Sequence, residues 1–392
     1  MSFVYYQCIS LYFKILTTIF FVKQIKNVKI NLPDKQSKDK IVTTKYLKNI
    51  IGALCLISSG ISCTSSYTNV VLTYQNTNFV YLSHNKGVDL LDTQVYRVVE
   101  SINQGENSGS IGIIDYGKKI IINNIDKKRL DIYSVHGDQG STIADKIGEI
   151  KVNEPITDIV FKNNEAYVIS ENKVTFIKDD NIPQVSGSLT FDQSKLVKGI
   201  LSKNSDELFV YDSAKQEFLI FDIKQKSQLG SLKINQDISI GGLDIDTDKR
   251  LFFTDKNKSD IYVYDLNKKE LLKKITIPMP DGEFSQPTDL KIFEKKKIYV
   301  ANSNKDYLAI IDYQSLDITK EIKSFREKDR SNKLSFTRYP DLTTILLATC
   351  ECSEGFKIID IEKDRYKLLF STRTVKPPKY DFIALANPLV KY

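Results

Sequence analysis

The sequence predicts an all-β fold of seven four-stranded antiparallel blades packed face to face around an axis. Three observations carry that expectation. First, a block of three apolar runs separated by short polar turns recurs seven times. Its clearest copies are ELFVYDSAKQEFLIFDIKQKSQLGSLKI from Glu207, RLFFTDKNKSDIYVYDLNKKELLKKITI from Arg250 and KIYVANSNKDYLAIIDYQSLDITKEIKS from Lys297. Second, the middle run is closed by Asp92, Asp222, Asp265, Asp312 and Asp360, with Ser134 and Lys178 in the two intervening slots. These anchors are separated by 42, 44, 44, 43, 47 and 48 residues. Third, no window holds an apolar period of 3.6 over the length an amphipathic helix needs. A period of this size built from strand-like segments marks a radial repeat, a seven-bladed β-propeller.

The elements follow in order along the chain. Residues 1–62 read as a leader holding two apolar runs. Residues 3–22 form a 20-residue run interrupted only by Lys14 and followed by Lys23, Lys26 and Lys29. That length spans a bilayer, and the lysines would keep its C-terminal end in the cytoplasm. A second reading makes residues 1–40 an extension upstream of the true start. That reading needs a non-Met start codon, because no Met lies between Met1 and Cys63. Residues 45–62 look like a secretory signal: Lys45 and Lys48, the 14-residue run NIIGALCLISSGIS, then Cys63. Gly60 and Ser62 supply small side chains before the cut, and Cys63 is placed where lipoprotein processing attaches a diacylglyceryl group. Gly60 departs from the Leu that a bacterial lipobox carries at that position. Lipidation at Cys63, ordinary cleavage and a retained membrane anchor therefore all stay open. Residues 63–68 form a short polar tether.

Residues 69–392 are assigned to the propeller. Within one repeat, TDLKIF (from Thr288) is followed by IYVA, LAIID and ITKEIK, with SNKD, KNKS and SAKQ as hairpin turns. A single four-stranded sheet cannot cover both of its own faces, whereas seven in a ring cover each other. The 330 residues from Cys63 onward give about 47 per blade for seven blades. Six or eight blades would follow if the weaker repeats around Ser134 and Lys178 were miscounted. YDFIALA, from Tyr380, comes after a complete seventh repeat and is expected to close the ring against the first blade.

The segment KKIYVANSNKDYLAIIDYQSLDITKEI (from Lys296) resembles a YVTN-type β-propeller repeat: an apolar strand, an Asn-containing turn, an apolar strand closed by Asp, and a final strand. The resemblance is strongest over residues 207–324 and fainter in the first three repeats and the last. It implies an extracytoplasmic bacterial or archaeal propeller, envelope lipoproteins being among the forms it suggests, with a binding or scaffolding role. It carries no catalytic motif onto this chain. Propellers also serve as lactonases and as lipoproteins that assist outer-membrane protein assembly, so function has to be argued from the site.

Charge and composition narrow the classes. The chain holds 56 basic and 49 acidic residues. Nine lysines and two acidic residues fall in residues 1–62, which leaves 47 of each sign from Cys63 onward. A neutral domain lacks the basic footprint that nucleic acid requires, so no nucleic-acid partner is expected. There is no phosphate-cradling Gly-rich loop and no His pair at helical spacing. Trp is absent, and His84 and His136 are the only histidines, neither in a nucleophile motif. No cofactor is expected.

Three groups of side chains remain as candidates. Asp158 and Asp289 sit in PITDIVF and PTDLKIF, where the chain enters the innermost strand, and are expected at loop ends by the channel mouth. There they would bind a cation or a ligand amine, or satisfy backbone N–H groups. Cys350 and Cys352, within TCECSEG, are a candidate disulfide in an exported domain. With His84, in the equivalent turn of the neighbouring blade, they form a weak metal candidate. Equivalent turns on adjacent blades stand on the order of 10 Å apart, too far for shared ligation at about 2.0–2.3 Å.

Taken together, these features predict a non-catalytic binding or scaffold propeller of the cell envelope with an envelope protein as partner. The alternative is a lactonase-like hydrolase using the acidic residues of the channel mouth. Membrane attachment would run through Cys63 lipid or the N-terminal anchor. If Cys63 carries lipid, Cys63→Ala releases the chain from the membrane fraction or leaves it uncut. A variant processed and pelleted like the wild type makes residues 3–22 the anchor instead.

Overall fold

The computed structural model describes residues 79–385 apart from residues 93–96, 137–143, 163, 235, 281, 305–306, 324–330, 339–343, 351–354 and 372–379. The leader, the tether and Cys63 thus lie outside the described residues. Valine, isoleucine, phenylalanine and tyrosine runs broken by short polar turns give 28 strands among the described residues. The chain enters with β1 (Phe79–His84), β2 (Gly87–Asp92) and β3 (Arg97–Ile102). Blade 2 is β4 (Ser108–Ile114), β5 (Lys119–Asn124), β6 (Arg129–Val135) and β7 (Ala144–Lys151). Blade 3 is β8 (Ile156–Lys162), β9 (Glu165–Ser170), β10 (Lys173–Lys178) and β11 (Gln184–Thr190). Blade 4 is β12 (Leu196–Leu201), β13 (Glu207–Asp212), β14 (Glu217–Asp222) and β15 (Ser227–Lys233). Blade 5 is β16 (Ile240–Ile245), β17 (Arg250–Asp255), β18 (Asp260–Asp265) and β19 (Glu270–Thr276). Blade 6 is β20 (Pro287–Phe293), β21 (Lys297–Asn302), β22 (Tyr307–Asp312) and β23 (Ile318–Lys323). Blade 7 is β24 (Ser331–Arg338), β25 (Thr344–Cys350), β26 (Gly355–Asp360) and β27 (Arg365–Ser371).

The last strand, β28 (Tyr380–Leu385), does not start an eighth blade. It pairs with β1, in the order β28-β1-β2-β3, and so completes blade 1 from the opposite end of the chain. The innermost strands β4, β8, β12, β16, β20, β24 and β28 then neighbour one another around the axis in an unbroken circle. The architecture is a seven-bladed propeller closed by its C-terminal strand.

The recurrent anchor has a mechanical explanation. In every blade it lies opposite the start of the second strand: Phe79↔Asp92, Glu207↔Asp222, Arg250↔Asp265, Lys297↔Asp312 and Ile345↔Asp360. Ser134 and Lys178 hold the same place opposite Lys119 and Glu165. In blades 4 to 7 the carboxylate caps the turn that follows. Asp222 Oδ1 accepts from the N–H groups of Lys224 and Gln225, both at 2.8 Å, and Asp312 Oδ1 does the same for Gln314 and Ser315. Asp265 and Asp360 repeat the arrangement. Each of these turns ends in a left-handed residue, at Lys226, Lys269, Leu316 and Asp364. An Asx side chain stabilises such a turn by taking the backbone donors that the bend leaves without partners.

Strand alternation fills the spaces between blades. Side chains two apart share a face and neighbours oppose each other, so β17 sends Leu251 and Phe253 toward blade 4 and Phe252 toward blade 6. Phe253 packs against Phe218 of blade 4, the rings tilted with centroids 5.4 Å apart, and joins Phe209, Tyr211, Leu243 and Tyr262 in one buried cluster. Phe252 packs with Leu290, Val300, Ile311 and Tyr313 of blade 6. Hydroxyls tie the same seams. Tyr313 donates to buried Asp246 at 2.8 Å, and Arg250 Nε donates to the same carboxylate at 2.7 Å. Between blades 6 and 7, Tyr299 donates to Asp364 at 2.9 Å.

Near the axis the strands come too close for ordinary side chains. A Cβ on Gly242 would collide with the backbone nitrogen of Leu290 and lie 2.6 Å from the carbonyl carbon of Asp289, which is main chain that cannot rotate away. Thr254, fully buried, bridges this seam by accepting from Gly242 N–H at 2.7 Å and donating to Pro287 O at 2.6 Å. Gly242→Ala is therefore expected to cost about 1–3 kcal/mol, by forcing β16 and β20 apart. Equilibrium denaturation of the variant measures it, and an unchanged midpoint would show that the seam tolerates the methyl.

Candidate functional site at the axial channel

Each innermost strand starts on one face of the ring, beside the end of its blade's second strand, as the pairings Pro287↔Asn302 and Leu196↔Asp212 show. A bulge follows within the first residues of the strand, at Ile156/Asp158, Leu196/Lys198, Pro287/Asp289 and Ser331/Leu334. Bulges sharpen the local twist and re-aim the side chains next to them. The third residues of these strands are Ser110, Asp158, Lys198, Gly242, Asp289 and Lys333, from blades 2 to 7. Two residues further in, Asp244 and Lys291 form a second layer. Among the described residues, three carboxylates and three lysines thus occupy the third and fifth positions of the innermost strands.

Asp158 and Asp289 occupy equivalent positions, but they lie inside the innermost strands rather than at the loop ends anticipated for them. The bulge draws the side chain back onto the sheet. Asp289 is buried, with Oδ1 accepting from its neighbour Leu290 N–H at 3.0 Å and Oδ2 from Leu334 N–H of the next blade at 2.9 Å. Asp158 does the same with Ile159 N–H at 2.9 Å and Gly199 N–H of the next blade at 3.2 Å. Asp244, a residue not singled out from sequence, repeats the pattern with Ile245 and Ile292 N–H, both at 2.8 Å. All three carboxylates are staples between adjacent blades. Reversing the charge at Asp158 and Asp289 would therefore act on the ring itself and not only on its surface.

The lysines answer the buried acids. Burial alone would raise the Asp289 carboxyl, but Lys291, Lys198 and Lys333 more than offset this and hold it below the usual carboxylate range. Asp158 moves the other way, because burial outweighs the help from Lys198, Gly199 N–H and Lys333. Lys291 is resisted by burial and held protonated by Asp289, Asp244 and Asp158; its Nζ lies 4.0 Å from Asp289 Oδ1. Lys198 Nζ donates to Gly241 O at 2.6 Å. Burial first, then repulsion from Lys333, brings its amine down to about 8.

His84 ends β1 on the same face. It is buried, its Nδ1 accepts from Lys86 N–H at 3.1 Å, and its Nε2 lies 3.5 Å from Asp89 Oδ1, which also accepts from Ser101 Oγ at 2.5 Å. Cys350 ends β25, the corresponding strand of blade 7. Its side chain and the whole of Cys352 lie outside the described residues, as do the candidate disulfide and the shared metal site. Among the described residues no three His, Cys, Asp or Glu side chains are grouped to hold a metal.

Sequence reasoning also passed over Phe284. It lies in the connection from β19 to β20, which opens beside the channel mouth, and it is 50% exposed. The loop is pinned at Phe284 itself and at the residue that follows it. Phe284 O accepts from Asn304 Nδ2 at 2.8 Å, buried Ser285 N–H reaches Ser259 Oγ at 2.9 Å, and Ser285 O accepts from Asn304 N–H at 3.1 Å. A signal was present, because the anchor spacing jumps from 43 to 47 residues across this connection.

No model of a known protein family matches the chain, and no curated protein matches it. Solved structures do. One is titled dihydro-heme d1 dehydrogenase NirN in complex with DHE; it is 14% identical, covers 80% of this chain and 66% of its own, and gives a TM-score of 0.58. Another is a chain of a mitotic checkpoint complex, 15% identical, covering 70% of this chain and 82% of its own, with a TM-score of 0.56. The chain spans just under two thirds of the first of these. At such identities the likeness shows the propeller fold.

Lys198 gives the channel a measurable pH signature. Its amine releases a proton at about 8 in the folded chain and at about the ordinary 10.5 when unfolded. Between those values the unfolded chain binds more protons, so folding stability rises with pH there. Below about 8 both states are charged and the penalty is constant. Buried tyrosines, pushed upward by burial, act oppositely above about pH 10. Lys198→Met should remove the rise between about pH 8 and 9.5, as read by denaturation midpoints. A wild-type curve that is flat or falling over that window would show that Lys198 is not so perturbed.

Proposed function

We propose that this propeller is a non-catalytic binding module of the cell envelope that docks a protein partner on the face carrying the channel mouth. The observation that carries this reading is Phe284, an exposed aromatic on a loop fixed by hydrogen bonds. A ring exposed in a prearranged position loses little conformational freedom when a partner covers it, which is how interface anchors work. Pro278 and Pro280 stiffen the same loop and are also exposed. Binding is favoured over hydrolysis by the state of the acids. Among the described residues, each of the three channel carboxylates accepts one backbone N–H at each oxygen, one of them from the next blade, which commits these acids to holding the ring together. Attachment through Cys63 or the leader would hold this module at the membrane.

Phe284→Glu is expected to weaken the complex by on the order of 2 kcal/mol, about thirtyfold. Its melting temperature should hardly move, because the side chain is exposed. The measurement is quantitative co-purification of cross-linked partners with the wild type, Phe284→Glu and Leu229→Glu. Leu229 is a control, equally exposed but on the outermost strand of blade 4. Loss of partner in Phe284→Glu alone supports the face, and equal recovery from all three removes it.

A further inference from the structure

The wedge between blades 2 and 3 is left partly unfilled. Thr175 of β10 stands where blade 4 has Leu219 and blade 5 has Tyr262, each opposite the fourth residue of its blade's second strand. Leu219 and Tyr262 are buried and fill the seam toward the preceding blade. Blade 6 has Ala309 there, with Tyr307 in the same buried cluster. Thr175 is smaller than Leu or Tyr, and Ser188 lies opposite it on β11. What remains is a cavity of about 130 Å³, with an apolar lining of Leu130, Ile150, Val152, Val168 and Val185.

The same cavity is lined by charges that do not meet. In blades 2, 4 and 5 the first residue of the third strand is ion-paired: Arg129 with Asp131 at 2.8 Å, Glu217 with Lys233 at 3.3 Å and Asp260 with Lys274 at 2.8 Å. Lys173 holds that place in blade 3 and lines the cavity, as does Lys151 at the end of β7. Among the described residues neither lysine has an ion pair. Glu154, on the connection from β7 to β8, lines the cavity too, and its buried Oε2 receives no hydrogen bond. A carboxylate oxygen taken out of water needs a donor, and neither lysine supplies it.

We propose that this cavity binds a free α-amino acid with an aliphatic side chain. An apolar cavity of about 150 Å³ holds a benzene ring, so the apolar lining takes a side chain of leucine or valine size. The ligand's ammonium supplies the donor that Glu154 lacks, and its carboxylate meets Lys173. The hydroxyl residues Thr175 and Ser188 belong to the same lining. Opposite charges that line one cavity without joining each other suit a zwitterion. A simple cation or a simple anion would leave one of them unanswered. Both contacts are charge-assisted hydrogen bonds, roughly twice as strong as neutral ones. The site goes beyond the docking reading, because it needs no protein partner and uses no residue near Phe284.

The test titrates the purified chain with L-leucine, with 4-methylpentanoate, which lacks the ammonium, and with 3-methylbutylamine, which lacks the carboxylate. Calorimetry should show L-leucine binding at least tenfold more tightly than either analogue. Thr175→Leu, which puts the blade 4 side chain into the cavity, should weaken that binding at least tenfold and leave the denaturation midpoint unchanged or higher. Lys173→Gln and Glu154→Gln should each weaken it at least tenfold as well, and they carry the test if the filled variant does not fold. Lys268→Gln, on an exposed turn, is the control and should bind as the wild type does. No binding of L-leucine, equal affinity for either analogue, or undiminished binding in any folded cavity variant overturns the site.

Discussion

Each blade of this protein is apolar on both faces, and that constraint organises everything else. A four-stranded sheet with Phe252 on one side and Phe253 on the other has no stable existence alone, because either face left in water forfeits the burial that holds the strands together. The remedy is a neighbour on each side, and a finite stack has neighbours everywhere only when it closes. Pairing of β28 with β1 supplies that closure. It joins the two ends of the described chain in one sheet, so blade 1 is complete only when those ends meet.

Closing the ring crowds its centre. Seven strands meeting around an axis approach until backbone touches backbone, as at Gly242 against Leu290. In that space polar side chains become structural parts. Asp158, Asp244 and Asp289 each reach a backbone N–H of the next blade, and Thr254 bridges two strands with one hydroxyl. Buried carboxylates require countercharges, and the lysines of the inner strands provide them. The charged channel is thus first a consequence of closure. Outside the staples, the channel mouth carries an exposed phenyl ring, that of Phe284.

The candidate site was only partly legible in the chain. The recurrence of Pro, Thr and Asp in two repeats marked Asp158 and Asp289, and their place on the innermost strand follows from repeat order alone. Their role did not follow, because a bulge decides whether such a side chain faces the channel or folds back on the sheet, and bulges leave no periodic trace. Asp244 escaped notice because IGGLDI offsets its Asp by two residues from the other copies. Lys198 and Lys333 stand at the aligned position but belong to no recurrent motif. Phe284 was signalled only indirectly, by four extra residues in the repeat.

What the sequence determined by itself was a ring of four-stranded repeats, the strand order within each, and the Asp that closes the third strand of blades 4 to 7; the structure fixed the count at seven. These depend on local alternation and on side chains that bond within a few residues of themselves. Tertiary structure alone decided which carboxylates became staples between blades. Those outcomes depend on contacts between residues 41 to 48 apart in sequence, such as Asp158 with Gly199 and Asp244 with Ile292. No local pattern encodes such a contact, because it exists only once the ring has closed.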